Sequence, residues 1–586
     1  VAGPWRQPTR DGRREKRYFV FFFYIYLRSC SLCHSLDYII SMGAFHCKSC
    51  ENGEDVANIF RGQRGTDNGE RRRFIFGRHR SRSRSVKQTD SLVLQTLSVI
   101  KNLGLFDNGS EAPEALRKLH WLADDGDGWI QVVLSMIHVI PLDDPLSPAL
   151  ITVLLDDCPL PDKETIMKLS QMLDLSNKTP KRKTIDQHRN ICVILGILAD
   201  KLPGPSSIAL LTKDTLSYLF NNMDLQVHPS IILFSLIALE KFAQIRENKF
   251  TIETFMKTGP LAMLSIFERL TGSDQPLYAQ VGFCAEWLLD NIFVDDQRIL
   301  SYSNVSMEGV NAILNQEDAS EYLKIGPSGL EARCDACSFE SIRCTFQIDK
   351  GTWYYEVTIL TSGVMQIGWS TRNSKFFNHE GYGIGDDEYS VAYDGCRQLV
   401  WHGAGCTSCV SGRPWREGDT VGCLLRVETP SPSATFYLNG QIVASNDKIF
   451  QYAKSEFFAA ASFMTFQQSR FNFGSKPFKY PPKGVKFSIM NNHGQLDEKE
   501  KTILPKRMRL EILGKQTADE DSCTICFDRK ADVMLYPCKH ESYCKHCAQQ
   551  LTLCPVCRQL IVRFQENNQQ PPATTTAAPA VTVLVS

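Results

Sequence analysis

Seven cysteines are concentrated between Cys523 and Cys557, and with His540 they stand in the order Cys523-x2-Cys526-x11-Cys538-x-His540-x3-Cys544-x2-Cys547-x6-Cys554-x2-Cys557. Thiolate and imidazole are donors that Zn²⁺ prefers, and eight of them complete two tetrahedral sites. Deprotonated thiolates bind Zn²⁺ with apparent energies of roughly 10–16 kcal/mol per site, enough to fold a segment that has little core. With all eight positions filled, no vacancy remains for a metal-bound water, so the ions are structural rather than catalytic. A disulfide scaffold is excluded: 21 cysteines are sparse in 586 residues, and an odd number cannot all pair within one chain.

Other candidate groups are weaker. Cys406-x2-Cys409 has no second ligand pair and reads as a loop pair. Asp386-Asp387-Glu388 could suggest hydrolysis, but adjacent loop carboxylates read more simply as a solvated turn. His120, His138, His188 and His228 are scattered and form no catalytic constellation. Cys30-x2-Cys33 with Cys47-x2-Cys50 has near-permitted zinc-ribbon spacing, but no strand pattern surrounds it.

The main cluster resembles a C3HC4 RING finger over 520–561. The likeness extends beyond the ligands: Pro537-Cys-Lys-His540, Cys547-Ala548 and Cys554-Pro-Val-Cys-Arg558 are similar to the RINGs of inhibitor-of-apoptosis proteins. The resemblance implies two Zn²⁺ with interleaved ligands. Cys523, Cys526, Cys544 and Cys547 would hold the first ion, and Cys538, His540, Cys554 and Cys557 the second. It implies a ubiquitin-conjugating enzyme (E2) and ubiquitin as partners, with Ile525, Leu551 and Pro555 forming the apolar E2-docking saddle. Arg558 matches the arginine that clamps E2 to ubiquitin. Its planar fork of donors suits a bridging role. The RING itself would carry no covalent intermediate.

Two larger regions must accompany so small a module. Ser91–Leu105 places apolar residues at helical spacing, and further helical stretches recur to about residue 293, punctuated by prolines such as Pro141, Pro159 and Pro203. An all-α, armadillo- or HEAT-like region over 88–299 is expected. The texture then changes. Trp353-Tyr-Tyr-Glu-Val-Thr-Ile-Leu360 reads as a strand, more short strands follow between glycine turns, and Asn439-Gly440 is a hairpin signal. An all-β sandwich is expected over 300–482. Trp353-Tyr-Tyr-Glu-Val357, Gln366-Ile-Gly-Trp369, Ala392-Tyr-Asp-Gly395, Gly418-Asp-Thr-Val-Gly-Cys423, Leu438-Asn-Gly440 and Asn472-Phe-Gly474 stand in the order of a SPRY domain, within a B30.2/SPRY unit. Where an aspartate commonly follows the Val-Gly-Cys strand, this chain has a Pro/Ser-rich run from Arg426 to Ser433. The likeness implies a protein substrate bound through variable loops. The remaining segments are expected to be a leader and basic linker (1–87), a linker (483–519) and a disordered tail (562–586).

Lys+Arg and Asp+Glu are both 65, for a formal net charge of zero. That excludes a wholly basic nucleic-acid binder and a wholly acidic disordered chain, so no nucleic-acid partner is expected. The first residue is Val1 and the first methionine Met42. If translation starts at Met42, Gly43 becomes a myristoylation position and Cys47 a palmitoylation candidate. The arginine-rich stretch 71–87 could add a second signal for peripheral membrane association. Thiolate ligands and an E2 partner favour the cytoplasm. The alternatives are a lipid-anchored protein, or a secreted one if the aromatic run 18–27 acts as a signal peptide.

The order of helical region, SPRY and RING resembles the RING finger and SPRY domain-containing protein 1 family. The function this implies is that of a RING-type E3 ubiquitin ligase. The alternative is a non-catalytic zinc-binding adaptor that uses both modules only for protein assembly.

Overall fold

Capping side chains mark where the helices begin. Thr184 Oγ1 accepts from Gln187 N at 3.3 Å while the Gln187 side chain accepts from Thr184 N at 3.1 Å, a reciprocal box that opens Ile185–Lys201. Asp125, Asp162 and Thr212 cap Gly126–Val139, Lys163–Leu173 and Lys213–Asn221. Pro229 and Pro276 open Pro229–Phe242 and Pro276–Asn291, at the position where a helix has no use for the missing N–H.

The computed structural model describes residues 85–99, 114–176, 183–257, 261–295, 297–376, 381–403, 405–410, 412–428, 430–516, 523, 530–549, 551, 554–555 and 560–566. The chain divides into two compact units, one ending at Ile503 and the other starting at Leu504. Gly43, Cys47 and the run 18–27 lie outside the described residues.

The first unit opens with helices, and no strand precedes Leu323 among the described residues. Ile185–Lys201 and Pro229–Phe242 are buried nearly all round and form its centre. Helix 85–99 starts within the stretch expected to be linker. Gly204–Leu210 and Arg246–Met256 are helices that periodicity did not mark. The second buries only Asn248, Ile252 and Met256, too thin a stripe to stand out.

The β region is two packed antiparallel sheets. Strands are β1 Leu323–Ile325, β2 Glu331–Cys334, β3 Glu340–Arg343, β4 Thr352–Ile359, β5 Met365–Thr371, β6 Ser390–Asp394, β7 Leu399–His402, β8 Gly405–Ser408, β9 Thr420–Arg426, β10 Ser433–Leu438, β11 Gln441–Asn446, β12 Phe457–Phe463, β13 Gln467–Asn472 and β14 Ser488–Ile489. One sheet runs β1-β2-β13-β4-β9-β10-β11, with β14 added parallel to β4; the other runs β3-β12-β5-β6-β7-β8. Tyr355, Trp369, Tyr393, Trp415 and Phe436 fill the space between them. β10 and β11 turn on Asn439 and Gly440, with φ of 49° and 78°, the positive pair a two-residue hairpin needs. The Pro/Ser-rich run leaves its hairpin intact, since Arg426 pairs with Ser433.

The sandwich extends past 482. Ser488–Ile489 joins β4, Asn491 Oδ1 accepts from Asn311 N at 2.7 Å, and Ile503 is buried in the sandwich core. The first half of the expected linker is therefore part of the domain, because its backbone pairs with the stretch of β4 that β13 does not reach and its side chains complete the core.

Helices and sandwich also share a core. Phe339, Val364, Met464 and Phe466 pack into the helical cluster, with Phe466 edge-on to Phe234 at 5.1 Å. Lys324 Nζ sits between Glu240 Oε2 at 2.5 Å and Asp335 Oδ2 at 2.7 Å. Arg333 donates to Asp335, and to Gln280 and Gln468 at 3.3 and 2.9 Å. Burial alone would lower the Lys324 pKa, but Asp335 and Glu240 outweigh it and raise it. The network joins a helix-borne acid to sandwich cations inside one core.

Candidate metal centre

The second unit contains helix Lys506–Gln516, so the expected linker is also helical here. Its cysteine-rich part has a very small core: Val533, Leu535, Tyr543, Ala548 and Cys554 are buried, with Cys538, Leu551, Ile561 and Phe564 packed against them. β15 Val533–Tyr536 supplies the centre of this core, since alternation points Val533 and Leu535 inward.

The ligands are placed by short local structures. After β15 the chain turns back on itself: Lys539 N donates to Leu535 O at 2.7 Å and Leu535 N to His540 O at 2.9 Å, with Lys539 at φ 56°. This turn presents Cys538 and His540. Cys544 caps the one-turn helix Lys545–Ala548, and Ala548 N donates to Cys544 O at 2.9 Å. Cys544 and Cys547 are thus three residues apart on one turn and share a face. Val533 N donates to Tyr543 O at 3.0 Å and ties that turn to β15.

Two groups of ligand atoms result. Cys523, Cys544 and Cys547 form one, and Cys538, His540 and Cys554 the other; within each, the ligand atoms lie within 4.8 Å of one another. Ligands around a tetrahedral Zn²⁺ at 2.0–2.3 Å would sit roughly 3.3–3.8 Å apart. Cys554 Sγ and His540 Nδ1, at 3.5 Å, match that spacing. The donor set and its clustering fit zinc. The groups alternate along the chain, as the resemblance implies. Cys526 and Cys557, the expected fourth ligands, lie outside the described residues, as do Ile525 and Arg558. Leu551 is half-buried against the small core and Pro555 is exposed.

The zinc unit ends later than position 561. β16 Arg563–Glu566 pairs antiparallel with β15, Tyr536 opposite Arg563 and Val533 opposite Glu566. The start of the expected disordered tail is a strand, since β15 offers an edge whose backbone groups need partners. Residues 567–586 lie outside the described residues.

Other sequence candidates resolve differently. Asp387 is not a solvated turn: it accepts from Ser374 Oγ at 2.8 Å, Tyr389 N at 3.0 Å and Ser390 Oγ at 2.7 Å. Asp386 accepts from Gly383 N at 2.7 Å, and burial pushes its pKa up to about 7. These acids brace a loop. Cys406 and Cys409 belong to no ligand group among the described residues. What sequence reasoning did not flag is the set of charged residues buried where helices meet sandwich.

Comparison with known proteins agrees with this division. The SPRY domain family matches residues 352–476, and the zinc finger, C3HC4 type (RING finger) family matches 519–564. The chain is 34% identical over 148 residues to the E3 ubiquitin-protein ligase RKP of Arabidopsis thaliana, covering 25% of this chain and 11% of that protein. It is 26% identical over 171 residues to the ATP-dependent RNA helicase DDX1 of Xenopus laevis, covering 29% of this chain and 22% of the helicase. The chain therefore spans only about a tenth and a fifth of the length of these relatives. Among solved structures it is similar to the SPRY domain of human HERC1, at 14% identity and a TM-score of 0.23, over 27% of this chain and 96% of that one. The chain is a RING- and SPRY-containing protein with a helical region ahead of the SPRY domain.

Proposed function

We propose that the protein is a RING-type E3 ubiquitin-protein ligase that carries two Zn²⁺ and positions an E2–ubiquitin thioester for transfer to a protein substrate held by the SPRY domain. The observation that carries this reading is the alternation of the two ligand groups, Cys523/Cys544/Cys547 and Cys538/His540/Cys554, inside the segment matched by the RING family. Cys526 and Cys557 would complete the sites. Zinc supplies the fold of the docking platform. In the transfer, a substrate amine displaces the E2 cysteine thiolate from the ubiquitin carbonyl and loses its proton. No group of the RING becomes covalently attached.

Exposed Pro555 suits E2 contact, and the resemblance assigns Ile525 to the same docking role. Leu551 serves both the small core and that face. Arg558 would bridge E2 and ubiquitin through its several donors. A reducing cytoplasm suits thiolate ligands.

Ubiquitination assays of the full chain across a broad E2 panel test the reading. At least one E2 should support transfer to the chain or to a bound protein. Ile525→Ala should keep both zinc ions and lose activity by about tenfold or more, as expected when an anchoring apolar contact is truncated. Inactivity with every E2 supports the adaptor instead, and zinc lost from Ile525→Ala removes that residue from the docking role.

A further inference from the structure

We propose that a cavity between the helical layer and the sandwich is a binding pocket for a lysine or arginine side chain presented by a partner polypeptide. Its volume is about 310 Å³. That is the small end of ligand sites, which begin at roughly 300 Å³. It suits one long side chain rather than a whole peptide.

Four parts of the chain enclose it, one of them the end of helix Leu261–Glu268 and the turn after it, with Glu268 and Thr271. Phe283 and Glu286 come from helix Pro276–Asn291, Asn304 and Val305 from the connection to the sandwich, and Pro327 and Glu331 from the β1–β2 hairpin. Gly282 permits the closure: a Cβ there would lie 2.1 Å from Thr271 N, so only glycine lets the helix approach the turn that forms one wall. Phe283, Val305 and Pro327 offer apolar walls for an alkyl stem, the part of lysine and arginine that packs against such surface. Asn304 is exposed at the rim.

The charges at the floor are unequal. Glu331 is paired with Arg470 at 2.7 Å, and Glu268 accepts from Arg298 Nε at 3.1 Å. Arg298 also donates to Asp290 at 2.7 Å. Glu286 makes no ion pair among the described residues, and it is half-buried. Burial first, then Asp290 and Glu268, push its pKa up to about 8. The pocket therefore has one carboxyl without a counter-ion, mostly protonated near neutral pH, and an entering cation would favour its ionised form by pairing with it. A divalent ion fits poorly: among the described residues, three or more metal-ligating side chains converge only in the cysteine-rich unit. The proposal concerns recognition alone, and its test does not pass through ubiquitin transfer.

Titration calorimetry of the full chain with Nα-acetyl-arginine N-methylamide and its lysine counterpart tests it. Both should bind, and the norleucine counterpart, with the stem but no charge, should bind at least about tenfold more weakly, the loss of one charge-assisted hydrogen bond. Glu286→Gln should weaken the cationic probes similarly. Affinity should rise from pH 6 to about 8 and level off above, because Glu286 must release its proton to pair. The charged groups facing it are Glu268, Asp290 and Glu331, with Arg298 and Arg470 between them. Asn304→Arg, an exposed change the fold should tolerate, should compete from the rim and weaken binding even if Glu286→Gln does not fold. The proposal is overturned by equal binding of the norleucine probe, by unchanged affinity in the two variants, or by no binding at millimolar probe. Binding of agmatine without binding of either capped residue overturns the polypeptide source.

Discussion

Cys554→Ala should abolish the proposed ubiquitin transfer and unfold the zinc-binding unit while leaving the melting of the helical–SPRY unit unchanged. Cys554 has two roles in the structure. Its Sγ lies 3.5 Å from His540 Nδ1 in the second ligand group, and the residue is fully buried among Val533, Leu535, Tyr543 and Ala548. Five buried residues are a meagre core. Each apolar side chain contributes roughly 1.5–3 kcal/mol on burial. A zinc site contributes roughly 10–16 kcal/mol. Loss of one ligand thus removes the larger source of folding energy and opens a hole in the smaller one. Native mass spectrometry should find fewer than two zinc ions, and the amides of Val533 and Leu535 should lose hydrogen-exchange protection. A strong chelator should reproduce both effects in the wild type. Cys554→Ala protein that retains two zinc ions and protected β15 amides would falsify this account of the unit's stability.

Lys324→Met should destabilise the helical–SPRY unit by about 3–5 kcal/mol, the range for removing one partner of a buried ion pair. Lys324 Nζ lies between Glu240 and Asp335 and stands 5.5 Å from the Trp287 ring. Asp335 would keep Arg333, whose Nε is 2.8 Å away. Glu240 would be left buried with its cation gone. Most of the loss should therefore return in the double variant Lys324→Met/Glu240→Leu, which removes both charges across the contact. Denaturant unfolding of the two single variants and the double variant closes the cycle. A cost for Lys324→Met below about 1 kcal/mol, the level of an exposed pair, would mean the network does not hold the two layers together.

The zinc cluster was legible because metal ligands are marked by residue type and short spacing, both written along the chain. The central strands were legible for a similar reason. Trp353–Leu360 is aromatic and β-branched, and it became β4. Asn439-Gly440 could be read as a turn because its two positive φ values are a local demand. Helices with a wide apolar face were visible, and Arg246–Met256, with three buried positions, was not.

β1, β2 and β3 escaped notice because they place Lys324, Glu331, Arg333, Glu340 and Arg343 at buried positions. Charged residues break the alternation that announces a strand, and their burial is tolerable only with partners. Arg343 finds Asp318, Glu331 finds Arg470, and Arg333 finds Asp335. Likewise the polar segment Arg563–Glu566 becomes β16 only because β15 presents an open edge. Sequence alone thus determined the modules and their order: helices, a SPRY sandwich and a RING with its donor atoms. Tertiary structure decided that helices and sandwich share one core. Glu240 and Lys324 stand 84 positions apart, and neither side chain carries any local sign that it will be buried. A charge enters a core only when the opposite charge arrives there too, and that meeting exists only in the folded chain.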